Sequence, residues 1–301
     1  MPNSWGFRFT LNNPLASHLA RSERTQVNDS MNTIGLGVGI RPYWSDGQVT
    51  IYHGDCRQIV PLLPTVDLLL TDPPYGINVC ARGTIGSDPT PRSRRRHRIA
   101  ARCTRFGRVT WDAAPPEPWV LEMLISRAKW AVLWGGNYYP RMERATCWLV
   151  WDKKVPSGVG FAHAELAWTN LNRAVRLFRW RWSGMLQEDM AKKERRVHPT
   201  QKPVALMEWC IGKARGAQTI LDPFMGSGTT LLAARRAGLT AIGIDREESY
   251  CEAAVKRLQE DRGDDTMGGL ESSPERCTAS GPRIVAPPMR PAAVRRRSGS
   301  R

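Results

Sequence analysis

Thr219-Ile220-Leu221-Asp222-Pro223-Phe224-Met225-Gly226-Ser227-Gly228-Thr229-Thr230 is the stretch on which the fold turns. An apolar strand ends at Asp222, a glycine turn follows at Gly226 and Gly228, and a helix opens at Thr229. Glycines belong where the backbone must turn tightly and lie close to a ligand. The next apolar run ends in Gly243-Ile244-Asp245. That is about 20 residues on, where an acid can grip the ribose of a nucleoside-binding βαβ unit.

Charge separates the ligands such a turn can hold. A phosphate-binding P-loop needs Lys after its last glycine, and here Thr229 stands there. A dinucleotide would bring its pyrophosphate against Asp222, which repels it. S-adenosyl-L-methionine carries a sulfonium and an ammonium and no phosphate, so carboxylates at the strand ends suit it.

Outward from this turn, short apolar runs alternate with helix-like segments. Strands are expected at 49–53, 66–71, 130–135, 146–151, 164–169, 218–222 and 240–245. Helices are expected at 116–128, 203–215, 229–237 and 247–259, the last with Tyr250, Ala253, Ala254 and Leu258 on one face. Near-continuous apolar strands with helices between them imply a mostly parallel sheet covered on both sides. The fold class is α/β, doubly wound. Residues 1–45 read as a weakly ordered N-terminal extension, with the ordered domain beginning near Met31. Residues 46–261 read as the folded domain, and the Gly-, Ser-, Pro- and Arg-rich 262–301 as a disordered basic tail.

A second corner lies upstream, where Val66–Leu70 runs into Thr71-Asp72-Pro73-Pro74-Tyr75-Gly76. Proline cannot donate to a ladder and fixes its own φ, so the strand must stop there, leaving an acceptor-rich, rigid backbone. Asp72 adds a carboxylate and Tyr75 an aromatic face. An exocyclic amine on a base is a poor nucleophile because its lone pair is conjugated into the ring. The Asp72 carboxylate and the Pro73 carbonyl can accept its two N–H bonds and aim the lone pair at a methyl donor, a gain made chiefly in the transition state.

Composition points to the partner. The 301 residues carry a net charge of +16, which favours a polyanion. Nine arginines (82, 92, 94, 95, 96, 98, 102, 105 and 108) face one acid, Asp88, in the basic loop 82–110, and Arg295–Arg297 form a further cluster. Arg94, Arg95 and Arg96 are the densest DNA-binding candidates. No amphipathic helix accompanies the charge, so nucleic acid is favoured over a membrane. No apolar run reaches the roughly 20 residues of a membrane span, and no signal peptide is evident. Seven scattered cysteines without a Cys-x-x-Cys pair argue against a metal site and for a reducing, cytoplasmic compartment.

With these motifs in hand, the sequence resembles the DNA amino-methyltransferases, specifically their beta class, in which the catalytic tetrapeptide precedes the cofactor loop. The likeness covers about residues 48–260. It rests on His53-Gly54-Asp55-Cys56, Thr71–Gly76, Trp134-Gly135-Gly136-Asn137, Trp151-Asp152-Lys153, His198-Pro199-Thr200-Gln201-Lys202-Pro203, Asp222–Thr230 and Gly243-Ile244-Asp245. It implies a circularly permuted S-adenosyl-L-methionine-dependent methyltransferase sheet with the catalytic and cofactor strands adjacent at its centre. Asp72, Pro73, Pro74 and Tyr75 would be catalytic. Asp222, Phe224, Gly226, Gly228 and Thr229 would bind the cofactor, with Asp245 on its ribose, Asp55 near its adenine, and Thr200 and Lys202 near its methionine end. His198–Pro203 also reads as a loop capping the next helix.

Members with Asp at the head of the tetrapeptide mostly modify adenine N6, and Ser there suggests cytosine N4. Asn-Pro-Pro-Tyr variants act on RNA or protein amides, and Asp72 departs from them. An inactive nucleic-acid-binding homologue should have lost Asp72, Tyr75, Gly226 or Gly228, and all are intact. The target-recognition region, 169–197, is short. Within it Arg176-Leu177-Phe178-Arg179-Trp180-Arg181-Trp182 reads either as a DNA contact through Arg179, Trp180 and Arg181 or as a strand with a solvated arginine face. The loop 82–110 can close over DNA or serve as a counterion-like surface. The expected partner is double-stranded DNA, with a homodimer left open. No nuclease motif is apparent, so a restriction endonuclease would be a separate chain.

Overall fold

The computed structural model describes residues 40–79, 106–107, 110–140, 142, 144–156, 162–183 and 186–267. Arg94, Arg95 and Arg96, Met31, and all of the two tails except residues 40–45 and 262–267 lie outside the described residues. In chain order the elements are β1 (Trp44–Ser45), β2 (Val49–His53), α1 (Cys56–Ile59) with a 3-10 turn after it, β3 (Val66–Thr71), α2 (Pro118–Ser126), β4 (Ala128–Trp134), β5 (Trp148–Asp152), β6 (Ala164–Thr169), β7 (Arg176–Arg179), β8 (Trp182–Ser183), β9 (Leu186–Gln187), α3 (Val204–Ile211), β10 (Thr219–Asp222), α4 (Thr229–Arg236), β11 (Thr240–Asp245) and α5 (Glu248–Met267).

One mixed sheet runs in the order β1-β2-β11-β10-β3-β4-β6-β5-β7, and β8 and β9 form a small hairpin. The run β2-β11-β10-β3-β4 is parallel throughout, and β6 is antiparallel to both its neighbours. The pleat sorts the core by alternation. Leu68 and Leu70 of β3 join one apolar cluster with Leu206, Leu231 and Ala254 from α3, α4 and α5. Leu69 joins the other cluster, with Ile59 of α1 and Leu121 and Leu124 of α2. Both faces of β3 are therefore covered, which is why its run is almost uninterrupted by polar residues. The doubly wound α/β class expected from the sequence is what forms.

Boundaries moved where pairing outcompeted helix pattern. The helix expected at 116–128 stops at Ser126, because Ala128 pairs with Val66 and opens β4 two residues later. The helix expected at 203–215 ends at Ile211, with Gly212 as its cap. The ordered sheet begins at Trp44, before residue 46, since Trp44 and Ser45 pair with Ile51 and Thr50. Helix α5 continues past 261 to Met267. Strand β7 is the strand with a solvated arginine face that the basic–aromatic stretch allowed, whereas β8, β9 and α1 have no counterpart in the apolar pattern.

A buried ion pair ties the first hairpin to the helical layer. Asp46 accepts the N–H groups of Gln48 and Val49 through Oδ1, at 3.0 and 2.8 Å, and pairs with Arg235 of α4 through Oδ2. Arg235 also donates to the Leu258 carbonyl on α5. Both side chains are almost fully enclosed. Removing one member strands the other charge, so Asp46→Ala should cost roughly 3–5 kcal/mol, measured by urea unfolding; a loss near zero would show that the pair contributes little.

Candidate active site

Parallel pairing brings the carboxyl ends of four neighbouring strands to one edge of the sheet. In the order β2, β11, β10, β3 these ends deliver Asp55, Asp245, Asp222 and Asp72. Because β6 runs the other way, Glu165 near its start reaches the same edge. Open α/β sheets bind their ligands there.

The glycine turn shapes a cavity of about 420 Å³ at this edge. Gly226 has φ +50°, and its N–H donates to Asp245 Oδ2 at 2.9 Å. Asp245 Oδ1 accepts the Glu247 N–H at 2.9 Å. Asp222 Oδ1 accepts from the Thr71 hydroxyl at 2.7 Å and from the Phe224 N–H at 3.2 Å. Burial pushes Asp222 up to about 6 and Asp245 up to about 7, against the lowering effect of these hydrogen bonds. Among the described residues neither forms a salt bridge. Buried Asp222 and partly buried Asp245, neither with a salt-bridge partner among the described residues, fit a ligand that brings positive charge and disfavour a phosphate.

The other expected cofactor residues divide. Phe224, Thr229, Thr200 and Lys202 line the cavity. Gly228 does not: it is the left-handed cap of α4, and a Cβ there would come within 2.8 Å of the Ala254 Cβ, so packing of α5 requires it. Asp55 caps α1 and pairs with Arg57, while its neighbour Cys56 lines the cavity. Trp111, His198 and Tyr250 wall the cavity as a cluster that the sequence reading missed. Trp111 stacks on His198 with ring centroids 5.4 Å apart, and Tyr250 meets His198 edge-on at 4.4 Å. Burial, with Lys202 and two arginines nearby, lowers His198 to about 3, so the ring is neutral.

Asp72 and Pro74 open into the same cavity. Asp72 Oδ1 accepts from the Tyr75 hydroxyl at 2.7 Å, and Oδ2 accepts from Lys202 Nζ. Lys202 also pairs with Glu165 Oε2 at 3.2 Å, and Glu165 in turn pairs with Lys153. Lys202, expected by resemblance near the cofactor's methionine end, thus directs its ammonium at the Asp72 carboxylate. Burial alone would lower Lys202, but Asp72 and Glu165 hold it above the ordinary lysine value. Burial raises Glu165, and the two lysines overcome this and bring it down to about 2. Burial raises Asp72, with Lys202 opposing.

Two tyrosines complete the corner. The Tyr139 hydroxyl lies 2.9 Å from both the Pro73 and the Trp134 carbonyls, so it orients the proposed backbone acceptor. The Tyr75 ring lies against Gly135, where a Cβ would come within 2.1 Å of it. The same ring stacks on Tyr138 at 4.8 Å. Tyr138, 42% exposed, therefore carries the accessible aromatic surface of the corner.

The basic–aromatic stretch places its arginines outside and its aromatics inside. Arg179 is exposed on β7, 3.5 Å from Asp152 Oδ2, and the Arg181 side chain is exposed beside it. Trp180 stacks on Phe178 at 5.8 Å, and Phe178 meets Trp209 at 5.2 Å.

The uncompensated acids have a pH signature. Asp245 holds its proton to about pH 7 when folded, against an ordinary value of 3.8. Its favourable contribution is full below 3.8 and lost as pH rises toward 7. His198 works the other way below its ordinary 6.5, so the comparison must isolate one group. The stability advantage of Asp245→Asn over the wild type should grow from pH 5 to about pH 7 and then level off. Unfolding midpoints of the ligand-free proteins measure it, and a constant difference would contradict the assignment.

Residues 143–256 match the family model described as DNA methylase. The type II methyltransferase M.ScaI of Streptomyces caespitosus is 27% identical over 280 residues, 78% of this chain and 88% of that protein. The type II methyltransferase M2.DpnII of Streptococcus pneumoniae is 46% identical over 79 residues, 26% of this chain and 29% of that protein. Among solved structures, the M1.HpyAVI–SAM complex is 21% identical over 70% of this chain and all of that one, with a TM-score of 0.42. The matched domain and the two type II relatives support a DNA amino-methyltransferase.

Proposed function

We propose that this chain transfers a methyl group from S-adenosyl-L-methionine to the exocyclic N6 of adenine at a specific site in double-stranded DNA. The observation that carries this reading is the shared cavity: Asp72 and Pro74 of the acceptor corner line the same space as Asp222, Gly226 and Asp245. The cofactor supplies an electrophilic methyl carried on a sulfonium. Asp222 offsets positive charge, Asp245 meets the ribose, and Phe224 gives an apolar wall. Adenine rather than cytosine follows the Asp at the head of the tetrapeptide.

In this reading Asp72 and the Pro73 carbonyl accept the two N–H bonds of the amine. Lys202 and Tyr75 fix the Asp72 carboxylate, and Tyr139 fixes the carbonyl. Holding the reactants in line can supply roughly 7–11 kcal/mol of the barrier. The base must leave the duplex, at a cost of a few kcal/mol. Stacking on the exposed Tyr138 ring can return about 1–3 kcal/mol. Arg179 and Arg181, at the carboxyl end of β7, serve phosphates, while Trp180 packs partly buried against the edge of the core. Arg94, Arg95 and Arg96 add affinity of the same kind.

The test is transfer of labelled methyl from S-adenosyl-L-methionine to DNA, followed by digestion to nucleosides. N6-methyladenine is expected. N4-methylcytosine would move the target to cytosine, and no labelled base would overturn the reading. Asp72→Ala should abolish transfer while calorimetric cofactor affinity stays nearly intact; wild-type turnover in that variant would remove Asp72 from the mechanism.

A further inference from the structure

Asp112 has no part in the acceptor chemistry, yet it is 3% exposed beside the catalytic corner. Its Oδ1 accepts the N–H groups of Tyr75 and Gly76 at 2.8 and 2.9 Å, and its Oδ2 accepts that of Val79 at 2.9 Å. The Asp112 carbonyl takes the Asn78 N–H at 2.9 Å. The chain just after the tetrapeptide is thus wrapped around one carboxylate, with Gly76 at φ +75° and Asn78 at φ +52°. Successive N–H groups converging in this way form an anion-holding nest, and here the anion is a side chain of the same protein.

The preceding residue faces the other half of the site. Trp111 lines the cofactor cavity, stacks on His198 and donates from its ring N–H to the Tyr250 hydroxyl at 3.3 Å. A single peptide unit therefore joins a contact that sets the acceptor corner to a contact that forms the cavity wall. Consecutive Cα atoms are separated by a fixed distance of about 3.8 Å, so a backbone shift at one contact is carried to the other.

We infer that Asp112 is a positioning residue for the methyl transfer, and that Trp111-Asp112 braces the acceptor corner against the cofactor cavity. The inference rests on the proposed function. Truncating Asp112 frees three N–H groups and lets Tyr75 and Asp72 drift relative to the methyl donor. A misplacement of about 1 Å is enough to lower a rate about 10²-fold.

The experiment is single-turnover methylation of a DNA substrate at saturating S-adenosyl-L-methionine and DNA, corrected for folded protein by an unfolding curve. Asp112→Ala should lower the rate about 10²-fold, with cofactor affinity by calorimetry within about twofold. Asp112→Asn keeps one oxygen and should fall between the two. Trp111→Ala should weaken cofactor affinity and also lower the saturated rate. If both Asp112 variants transfer methyl at the wild-type rate per folded molecule, Asp112 is only a structural staple and the inference fails. If Trp111→Ala changes affinity alone, the brace fails. A wild-type protein that labels no base would instead overturn the function on which the inference rests.

Discussion

The parallel pairing of β10 with β3 is the constraint on which the site depends. Ile220 and Leu221 pair with Leu68 and Leu69, joining segments far apart in the chain at the middle of the sheet. Loop closure over such a span is entropically costly but grows only slowly with length, and the contact is reinforced by more than the ladder. The Asp67 carboxylate accepts the N–H groups of Gln218 and Thr219 and the Thr219 hydroxyl, and the Asp67 N–H donates back to that hydroxyl. Only with this pairing in register does Thr71 reach Asp222 and does Asp72 open into the cavity of the glycine turn.

The acids at this edge fall into two electrostatic kinds. Asp72 and Glu165 are held by Lys202 and Lys153, a group whose charges balance internally. A balanced buried cluster is worth little as net stability, but removing one member is costly, so its use is to fix where the acceptor points. Among the described residues Asp222 and Asp245 have no such partners, and they are left at about 6 and about 7. The first kind suits an amine that must be aimed, and the second suits a ligand that carries its own positive charge.

How much of this could be read from the sequence follows from which signals are local. Strands β3, β10 and β11 are short apolar runs bounded by turn residues, and their expected and observed limits differ by a residue at most. Asp72, Asp222 and Asp245 stood out because each closes such a run. Strand β7 has exposed Arg176, Leu177 and Arg179 on a sheet edge, so no buried face imposes an alternation. Glu165 was illegible as a site residue because its role is set by Lys202 and Lys153 across the fold. Lys202 itself was legible, but the direction of its ammonium depends on a partner 130 residues away. Asp112 was hidden for the same reason, since its partners lie 33–37 residues upstream across the arginine-rich stretch.

The outer half of the parallel run has a consequence for synthesis. Strand β2 is flanked by the short β1 on one side and by β11 on the other, and Gln48 reaches the Leu239 carbonyl across 191 residues. Translation at about 5–20 residues per second therefore leaves one edge of β2 without its neighbour for roughly 10–40 seconds. During that interval β3 can already pair with β4, but its other edge waits for β10. An unpaired apolar strand edge is a template for another chain, so the nascent protein is most prone to aggregate before its last two strands leave the ribosome. Crowded polysomes and fast overexpression raise that risk, and slower elongation does not remove it, because the missing strands come last.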